Sequence, residues 1–263
     1  MKIIPLGTNG FFPSFGRQTA SYAIPLGKLL IILDAGSGLF RLAEPEGKKL
    51  LEGVSEVHLF LSHYHLDHTF GFYAAFRLLE RKTVKVYAAS VKKVFSEFKP
   101  MGYFPIDYKK EMKNFQWYSI KESTQHINSY RVDVRKQYHN GEGSLAFRFY
   151  FSPQLELAYI TDSDQITPES IKFVKGSSIL LHEHFMSGRG DYPKNKDDTS
   201  TFAWGHVTSI GAAEVAKEAK VGNLALIHHF PYADNNQLEQ QLKIAQSIFP
   251  NTNLAKDLED IQF

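Results

Sequence analysis

A chain of 263 residues, 43% apolar and 22% charged, has the composition of an ordinary globular protein, long enough for a large core within one domain. Its formal charge of +2 is too small to mark a nucleic-acid binder by itself, although local basic loops can still hold a phosphate. The absence of cysteine excludes disulfides, thiolate metal sites and cysteine nucleophiles together, so any metal must be held by imidazole and carboxylate.

The opening stretch MKIIPLGTNGFF does not read as a signal peptide, because its apolar run is short and broken by Pro5, Gly7 and Asn9. No run approaches the length of a membrane span, and a cytoplasmic protein without membrane contact is expected. Ile3-Ile4, Ala20–Ile24 and Leu29–Leu33 then read as short strands punctuated by Gly and Pro. Val57–Leu61 is a nearly continuous apolar run, as in a strand covered on both faces. Helical spacing in FGFYAAFRLLE predicts a helix after His68, followed by a strand at Val84–Tyr87 and a helix at Val91–Phe98. The segment MGYFPIDYKKEMKNFQWYSI, around 100–120, is rich in aromatics and lysine; it reads as core or as a lid over a ring. In the second half, strands are expected at Leu145–Tyr150, Leu157–Ile160, Ile179–His182 and Leu224–His228, with helices at Ala212–Ala219 and Leu238–Ile248. GRGDYPKNKDDTS is a polar loop whose Arg189, Lys194 and Lys196 either meet phosphate oxygens or are simply solvated. Strand groups alternating with helices in both halves predict an α/β chain, its sheets packed together with helices outside.

Chemistry is concentrated where Val57–Leu61 ends, in LSHYHLDHTFGF. His63 and His65 are two apart and point to the same side of an extended backbone. Asp67 and His68 follow in a turn, where adjacent residues can face different ways, so one pair can serve one ion and the other pair a second. Imidazole and carboxylate suit a borderline divalent ion, zinc being the commonest, with manganese or iron accepted as well. Elsewhere the residues alone are less decisive. Asp162 before Ser163 is ordinarily a turn or capping residue, and Asp34 lies in a plausible tight turn, Asp-Ala-Gly-Ser-Gly. His139 precedes the turn signal Asn140-Gly141, and His206 precedes Thr208 and Ser209, either of which can cap the next helix. His228 and His229 would point opposite ways on a continuing strand, so only one of them should be a ligand. His58 reads as a packed core residue, His126 as solvated, and His182 and His184 do not have the His-Glu-x-x-His spacing of a zinc protease.

His63-x-His65-x-Asp67-His68 followed by Gly71 resembles the signature of the metallo-β-lactamase superfamily, and the resemblance extends over nearly the whole chain. LGTNGFFPS and LLIILDAGSG resemble the opening motifs of its ribonuclease Z-like branch, with Asp34 at the acidic position that orients a ligand loop. The resemblance implies one domain over 1–263 with the four-layer αββα sandwich of that superfamily, and it suggests a homodimer. It also implies a two-metal site in which His139, from YHNGEGSLAFRF, is the third histidine ligand of the first ion. Asp162, from LAYITDSD, would be the bridging carboxylate, and Glu183, from LLHEHF, stands at the usual acidic position. His206, from WGHVTSIGAAEVAKEAK, would donate a proton or support the ligands from behind, and LALIHHFP would supply the last ligand, His228 by strand alignment with His229 as the fallback.

Two close ions of this kind activate water near neutral pH and polarise the electrophile, so no protein nucleophile is needed. Asp67 then orients or deprotonates the attacking water, and His206 protonates the leaving group or steadies developing charge. Within the superfamily, the missing cysteine argues against the lactamases, and histidine rather than glutamate at position 65 argues against the di-iron flavoprotein branch. Ribonuclease Z carries a long arm between its third histidine and the bridging aspartate, where this chain has room only for a short strand pair, and Leu66 replaces its usual glycine. The expectation is therefore a hydrolase of a small or cyclic phosphodiester, ahead of an endoribonuclease on transfer RNA 3′ ends and of a weakly catalytic metal-binding carrier.

Overall fold

In the computed structural model all residues are described except 91–101, 103–106, 128, 140, 164–165, 186–201, 204–205 and 263. The expected helix at Val91–Phe98, the loop cations Arg189, Lys194 and Lys196, and part of the 100–120 segment lie outside the described residues. The chain divides into two compact units, one made of Met1–Gly7, Gln18–Ile120 and Asp257–Gln262, the other of Thr8–Arg17 and Lys121–Lys256.

Short, largely apolar strands build the first unit. Its strands are β1 (Lys2–Gly7), β2 (Ser21–Leu26), β3 (Leu29–Leu33), β4 (Glu56–Phe60), β5 (Thr83–Ala88), β6 (Phe115–Ser119) and, from the far end of the chain, β16 (Ile261–Gln262). They form one sheet in the order β16-β1-β2-β3-β4-β5-β6, antiparallel from β16 to β3 and parallel from β3 to β6. Parallel neighbours require crossovers, supplied by α1 (Pro45–Leu50) between β3 and β4, and by α2 (Leu66–Thr69) and α3 (Phe72–Leu78) between β4 and β5. A short α4 (Tyr108–Glu111) precedes β6. Leu30, Ile32, Val57, Leu59, Val84 and Val86 pack with Phe72 and Ala75 of α3 in one apolar cluster. The alternate residues of β3 and β4, Ile31, Leu33, His58 and Phe60, are buried too, which is why these strands read as unbroken apolar runs. Within the 100–120 segment, Met112 and Phe115 belong to this core and Phe115–Ser119 is the edge strand.

The second unit repeats the plan. Strands β7 (Ser123–Ile127), β8 (Tyr130–Gln137), β9 (Ser144–Ser152), β10 (Leu155–Ile160), β11 (Ile179–Glu183), β14 (Asn223–Ile227) and β15 (Thr252–Leu254) form a sheet in the order β15-β14-β11-β10-β9-β8-β7. Strands β10, β11, β14 and β15 are parallel, while β7 to β10 run as an antiparallel meander. Helices α5 (Pro168–Val174), α6 (Ser209–Ala219) and α7 (Asn235–Ile248) make the crossovers, and a two-residue pair joins β12 (Phe202–Ala203) to β13 (His206–Val207). The small residues Ala212, Ala213, Ala216 and Ala219 of α6 pack with Ile160, Leu180, Leu224 and Leu226. Helix α6 begins three residues before its apolar periodicity does, because the Thr208 hydroxyl accepts from Gly211 N–H and caps it. Helix α7 likewise starts before Leu238, at a capping box made by Asp234 and Gln237.

Strand register brings the functional ends together. Ile160 pairs with His182 and Glu183 with Ile227, so the carboxyl ends of β10, β11 and β14 lie side by side. Strand β8 runs in the same direction two strands further along. In open α/β sheets the carboxyl ends of parallel strands are where ligands bind.

Candidate metal centre

In the first unit, β3 and β4 are adjacent, and each delivers polar residues beyond its carboxyl end. Asp34 follows β3 with φ 58°, a left-handed conformation that aspartate tolerates better than most residues. Its N–H donates to the Phe60 carbonyl at 2.8 Å, and the carboxylate is completely buried. One oxygen accepts from Ser62 N–H at 2.7 Å; the other accepts from the Ser62 hydroxyl at 2.8 Å and from His68 Nδ1 at 2.8 Å. With the Ser62 proton directed at Asp34, Ser62 Oγ accepts from His63 Nδ1 at 3.0 Å. Both His63 and His68 thus carry their proton on Nδ1 and their lone pair on Nε2, the tautomer a metal ligand needs.

The four residues of the signature are brought together. His63 and His65 have ring centroids 4.4 Å apart, and His63 and His68 4.3 Å. His68 Nε2 lies 3.4 Å from Asp67 Oδ2. His63 and His68 are buried, His65 and Asp67 half-buried. Glycine is required where the Asp34 turn meets this loop: a Cβ on Gly36 would lie 2.1 Å from the Asp67 carbonyl oxygen, and one on Gly71 2.4 Å from the Gly36 oxygen.

In the second unit, β10, β11 and β14 deliver Asp162, Glu183 and His228. Strand β14 ends at Ile227; His228 and Asp162 both adopt left-handed backbone, with φ 56° and 51°. The expected continuation of the strand through His228 is therefore replaced by a turn. It sends His228 and His229 to different surroundings without strand alternation. The Asp162 carboxylate stands between two imidazoles: Oδ1 is 3.4 Å from His139 Nε2, and Oδ2 is 3.3 Å from His228 Nε2. Two donors each about 2.0–2.1 Å from a tetrahedral ion are themselves about 3.3 Å apart. Both separations, and that between His68 and Asp67, match neighbouring ligands of one ion, with nitrogen and oxygen donors suited to a borderline divalent cation. Ligand atoms of Asp162, Glu183, His206 and His228 all lie within 4.8 Å of one another.

His206 Nδ1 donates to Glu183 Oε2 at 2.7 Å and lies 3.9 Å from Asp162 Oδ1. The other Glu183 oxygen accepts from Ser163 N–H at 2.6 Å and, more weakly, from Val207 N–H at 3.4 Å. Burial pushes the Glu183 carboxyl up, but the charge and hydrogen bond of His206 outweigh it and hold the group below its ordinary value. Glu183 thus orients His206 and leaves its Nε2 as the atom able to exchange a proton.

His229 faces elsewhere. Its Nε2 donates to the Ala255 carbonyl at 2.7 Å, and its Nδ1 accepts from His184 Nε2 at 2.6 Å. Burial, assisted by the charge of Arg17, drives His229 down to about 3, so it stays neutral. His182 donates from Nδ1 to the Glu183 carbonyl at 2.8 Å; His58 is buried beside Glu56, and His126 is exposed. Sequence reasoning singled out LGTNGFFPS only as a family motif and missed that its loop packs against His228. A Cβ on Gly10 would lie 2.4–2.8 Å from three atoms of the His228 ring, and Gly10 N–H donates to the His229 carbonyl at 2.9 Å. The available signal was the glycine in Thr-Asn-Gly-Phe-Phe, whose small size matters as much as its turn propensity.

A family model described as a beta-lactamase superfamily domain matches residues 30–229, a span that runs through both units. A ribonuclease Z of Synechococcus sp. (strain CC9902) is 36% identical over 108 residues, covering 40% of this chain and 31% of that protein. A ribonuclease Z of Picrophilus torridus is 24% identical across 98% of this chain and 94% of its own length. That alignment runs over 303 positions, more than this chain contains, so the relative carries insertions. Among solved structures, the metallo-β-lactamase fold protein YhfI from Bacillus subtilis superposes with a TM-score of 0.73 at 21% identity, covering 99% of this chain and 98% of that one. Two seven-stranded sheets with their crossover helices are the same α/β architecture, the metallo-β-lactamase fold. No helix among the described residues is long and apolar enough to cross a membrane.

Proposed function

The chain belongs to the beta-lactamase superfamily domain family, and from that membership we propose that it is a metal-dependent phosphodiesterase acting on a small or cyclic phosphodiester. One observation carries the reading: the two Asp162 oxygens address two different imidazoles at 3.4 and 3.3 Å, as a carboxylate shared by two ions would. His63, His65 and His139 would hold one divalent ion and Asp67, His68 and His228 the other, with zinc favoured and manganese or iron compatible. Bound there, the ions would bring the pKa of water towards neutrality and polarise the phosphoryl oxygen. Asp67 orients the attacking water and receives its proton. His206, held by Glu183, gives a proton to the leaving oxygen. Asp34 and Ser62 fix the tautomers of His68 and His63.

A second reading, an endonuclease on RNA 3′ ends, is favoured by the ribonuclease Z relatives. Against it stands the connection between His139 and Asp162, which is filled by the hairpin β9–β10 and holds no inserted arm. The test is hydrolysis of bis(p-nitrophenyl) phosphate, cyclic nucleotides, cyclic ribose phosphates and a precursor transfer RNA, with zinc or manganese, by wild type and Asp67→Ala. Turnover of the small diesters that Asp67→Ala abolishes is expected, with two ions per chain by elemental analysis. Metal-dependent cleavage of the RNA alone would establish the second reading, and no turnover of any member would overturn both.

A further inference from the structure

Phe11 is 69%, Tyr232 64% and Phe15 57% exposed, and all three belong to the second unit. Two of them sit on strained backbone. Phe11, with φ 60°, is the centre of a three-residue γ-turn closed by Phe12 N–H donating to the Gly10 carbonyl at 2.7 Å. Phe15 and Gly16, with φ 50° and 78°, are the two central residues of a tight turn in which Ser14 and Arg17 exchange backbone hydrogen bonds at 3.1 and 2.9 Å. Asn-Gly or Gly-Gly is the ordinary occupant of such a turn, and a bulky side chain holds positive φ only where its surroundings over-determine it.

Those surroundings are on hand. Asn9 Nδ2 donates to Ser14 Oγ at 2.8 Å, Arg17 Nε donates to Asn9 Oδ1 at 2.6 Å, and Arg17 Nη1 donates to Asn235 Oδ1 at 2.8 Å. The Ser14 hydroxyl donates to the Pro231 carbonyl, which ties the loop to the residues after His228. A buried arginine and a bonded asparagine thus hold phenyl rings with more than half of their surface in water, where that surface gains nothing from hydrophobic burial.

The rings are continuous with the candidate site. Phe11 contacts Phe12 at 5.5 Å between centroids, Phe12 contacts Tyr232 at 5.1 Å, and Tyr232 contacts Phe230 at 5.3 Å. Phe230 meets Phe185 edge-on at 5.1 Å, and Phe185 stacks on His206 at 4.3 Å and lies 5.6 Å from His228. The buried end of this chain of rings, Phe185, lies against the imidazoles assigned to proton transfer and metal binding, and Phe11 at its exposed end directly follows Gly10, whose backbone abuts the His228 ring. We propose that Phe11, Phe12 and Tyr232 form a stacking platform for an aromatic ring of the substrate, of the nucleobase class, carried on the phosphodiester cleaved at His206. This rests on the phosphodiesterase reading and narrows it, since a bare cyclic sugar phosphate offers no ring to stack. Every base presents a π-face, so such a platform selects for a base without selecting which one.

The test compares wild type with Phe11→Ala/Tyr232→Ala in the metal-loaded full chain, using adenosine 2′,3′-cyclic phosphate and ribose 2,3-cyclic phosphate as substrates. Binding of adenosine 5′-phosphate and ribose 5-phosphate is measured alongside by calorimetry. The wild type is expected to prefer the base-bearing member of each pair, and the double variant to lose roughly tenfold to a hundredfold of that preference, in KM rather than kcat. Phe11→Trp with Tyr232→Trp should restore it. An equal loss on both members would show a merely structural role, and an unchanged preference would remove the platform; either overturns the proposal. So would a wild-type dimer that the double variant disperses while the ligand preference stays the same, since the patch is then a self-association surface. If neither diester is turned over but the calorimetric preference for adenosine 5′-phosphate depends on Phe11 and Tyr232, the platform stands and the phosphodiesterase reading falls.

Discussion

Gly10→Ala perturbs the proposed second ion without touching a ligand. The added methyl would lie 2.4 Å from Cε1, 2.6 Å from Nε2 and 2.8 Å from Nδ1 of His228. Carbon contacts are comfortable at about 3.5 Å and beyond, so the ring must withdraw by about 1 Å. His228 Nε2 lies 3.3 Å from Asp162 Oδ2, and a ligand tolerates only about 0.2 Å of departure from its coordination distance. Displacing a ring through its packing, with the ligand itself retained, typically costs 10- to 100-fold in metal affinity, or about 1.4–2.8 kcal/mol. Gly10 has no left-handed backbone, so alanine itself is conformationally acceptable there and the metal-free chain should keep its fold. The assay is competitive metal titration against a chromophoric chelator, with urea denaturation of the metal-free proteins as control. One tight and one weakened ion are expected in the variant. Two ions bound with wild-type affinity in a normally folded Gly10→Ala would refute the packing argument.

Asp34→Ala removes the acceptor for the buried Ser62 and His68 N–H groups; at about 1–3 kcal/mol per orphaned donor, urea denaturation should show a loss of at least about 2 kcal/mol, and a loss below about 1 would contradict the role given to Asp34. His206→Ala should lower kcat by about 10²–10⁴ with metal content unchanged, and Glu183→Gln should fall between it and wild type; metal loss measured by elemental analysis would instead make His206 a ligand. Burial holds His58 below its ordinary value despite the Glu56 carboxylate beside it. The unfolded chain therefore takes up that proton first, and the contribution of His58 to stability is complete above pH 6.5 and lost as pH falls towards its folded value. Glu56, held down chiefly by Lys85, adds a loss below pH 4.5. His58→Gln should flatten the slope of stability just below pH 6.5 by up to about 1.4 kcal/mol per pH unit, read from urea midpoints, and an unaltered slope would contradict it.

How much of the fold and site was legible in the sequence depends on whether the signal is local. The strand β3 was readable to the residue because five consecutive apolar residues, four of them buried and on both faces, leave no ambiguity of period. The strands β7 and β8 were not. Ser123, Thr124 and His126 of β7 are exposed, and β8 alternates apolar with polar residues, so neither strand has the continuous run that betrays a parallel strand. The cluster His63, His65, Asp67 and His68 was legible for the same local reason: one strand end carries all four. Asp162, Glu183 and His228 are isolated in sequence; by themselves Asp162 resembles a turn residue and His228 the end of a strand, and nothing local marks Glu183. What joins them is sheet order, since β10, β11 and β14 are parallel neighbours in register. A strand end that must turn sharply needs a left-handed residue, and Asp162 and His228 supply it while also carrying the donor atoms. Glycine would make those turns at lower conformational cost but with no ligand, so chain reversal and chemistry compete for the same two positions, and here chemistry prevails. The Gly10 contact is the converse case: the loop gives up a side chain so that His228 can keep its place.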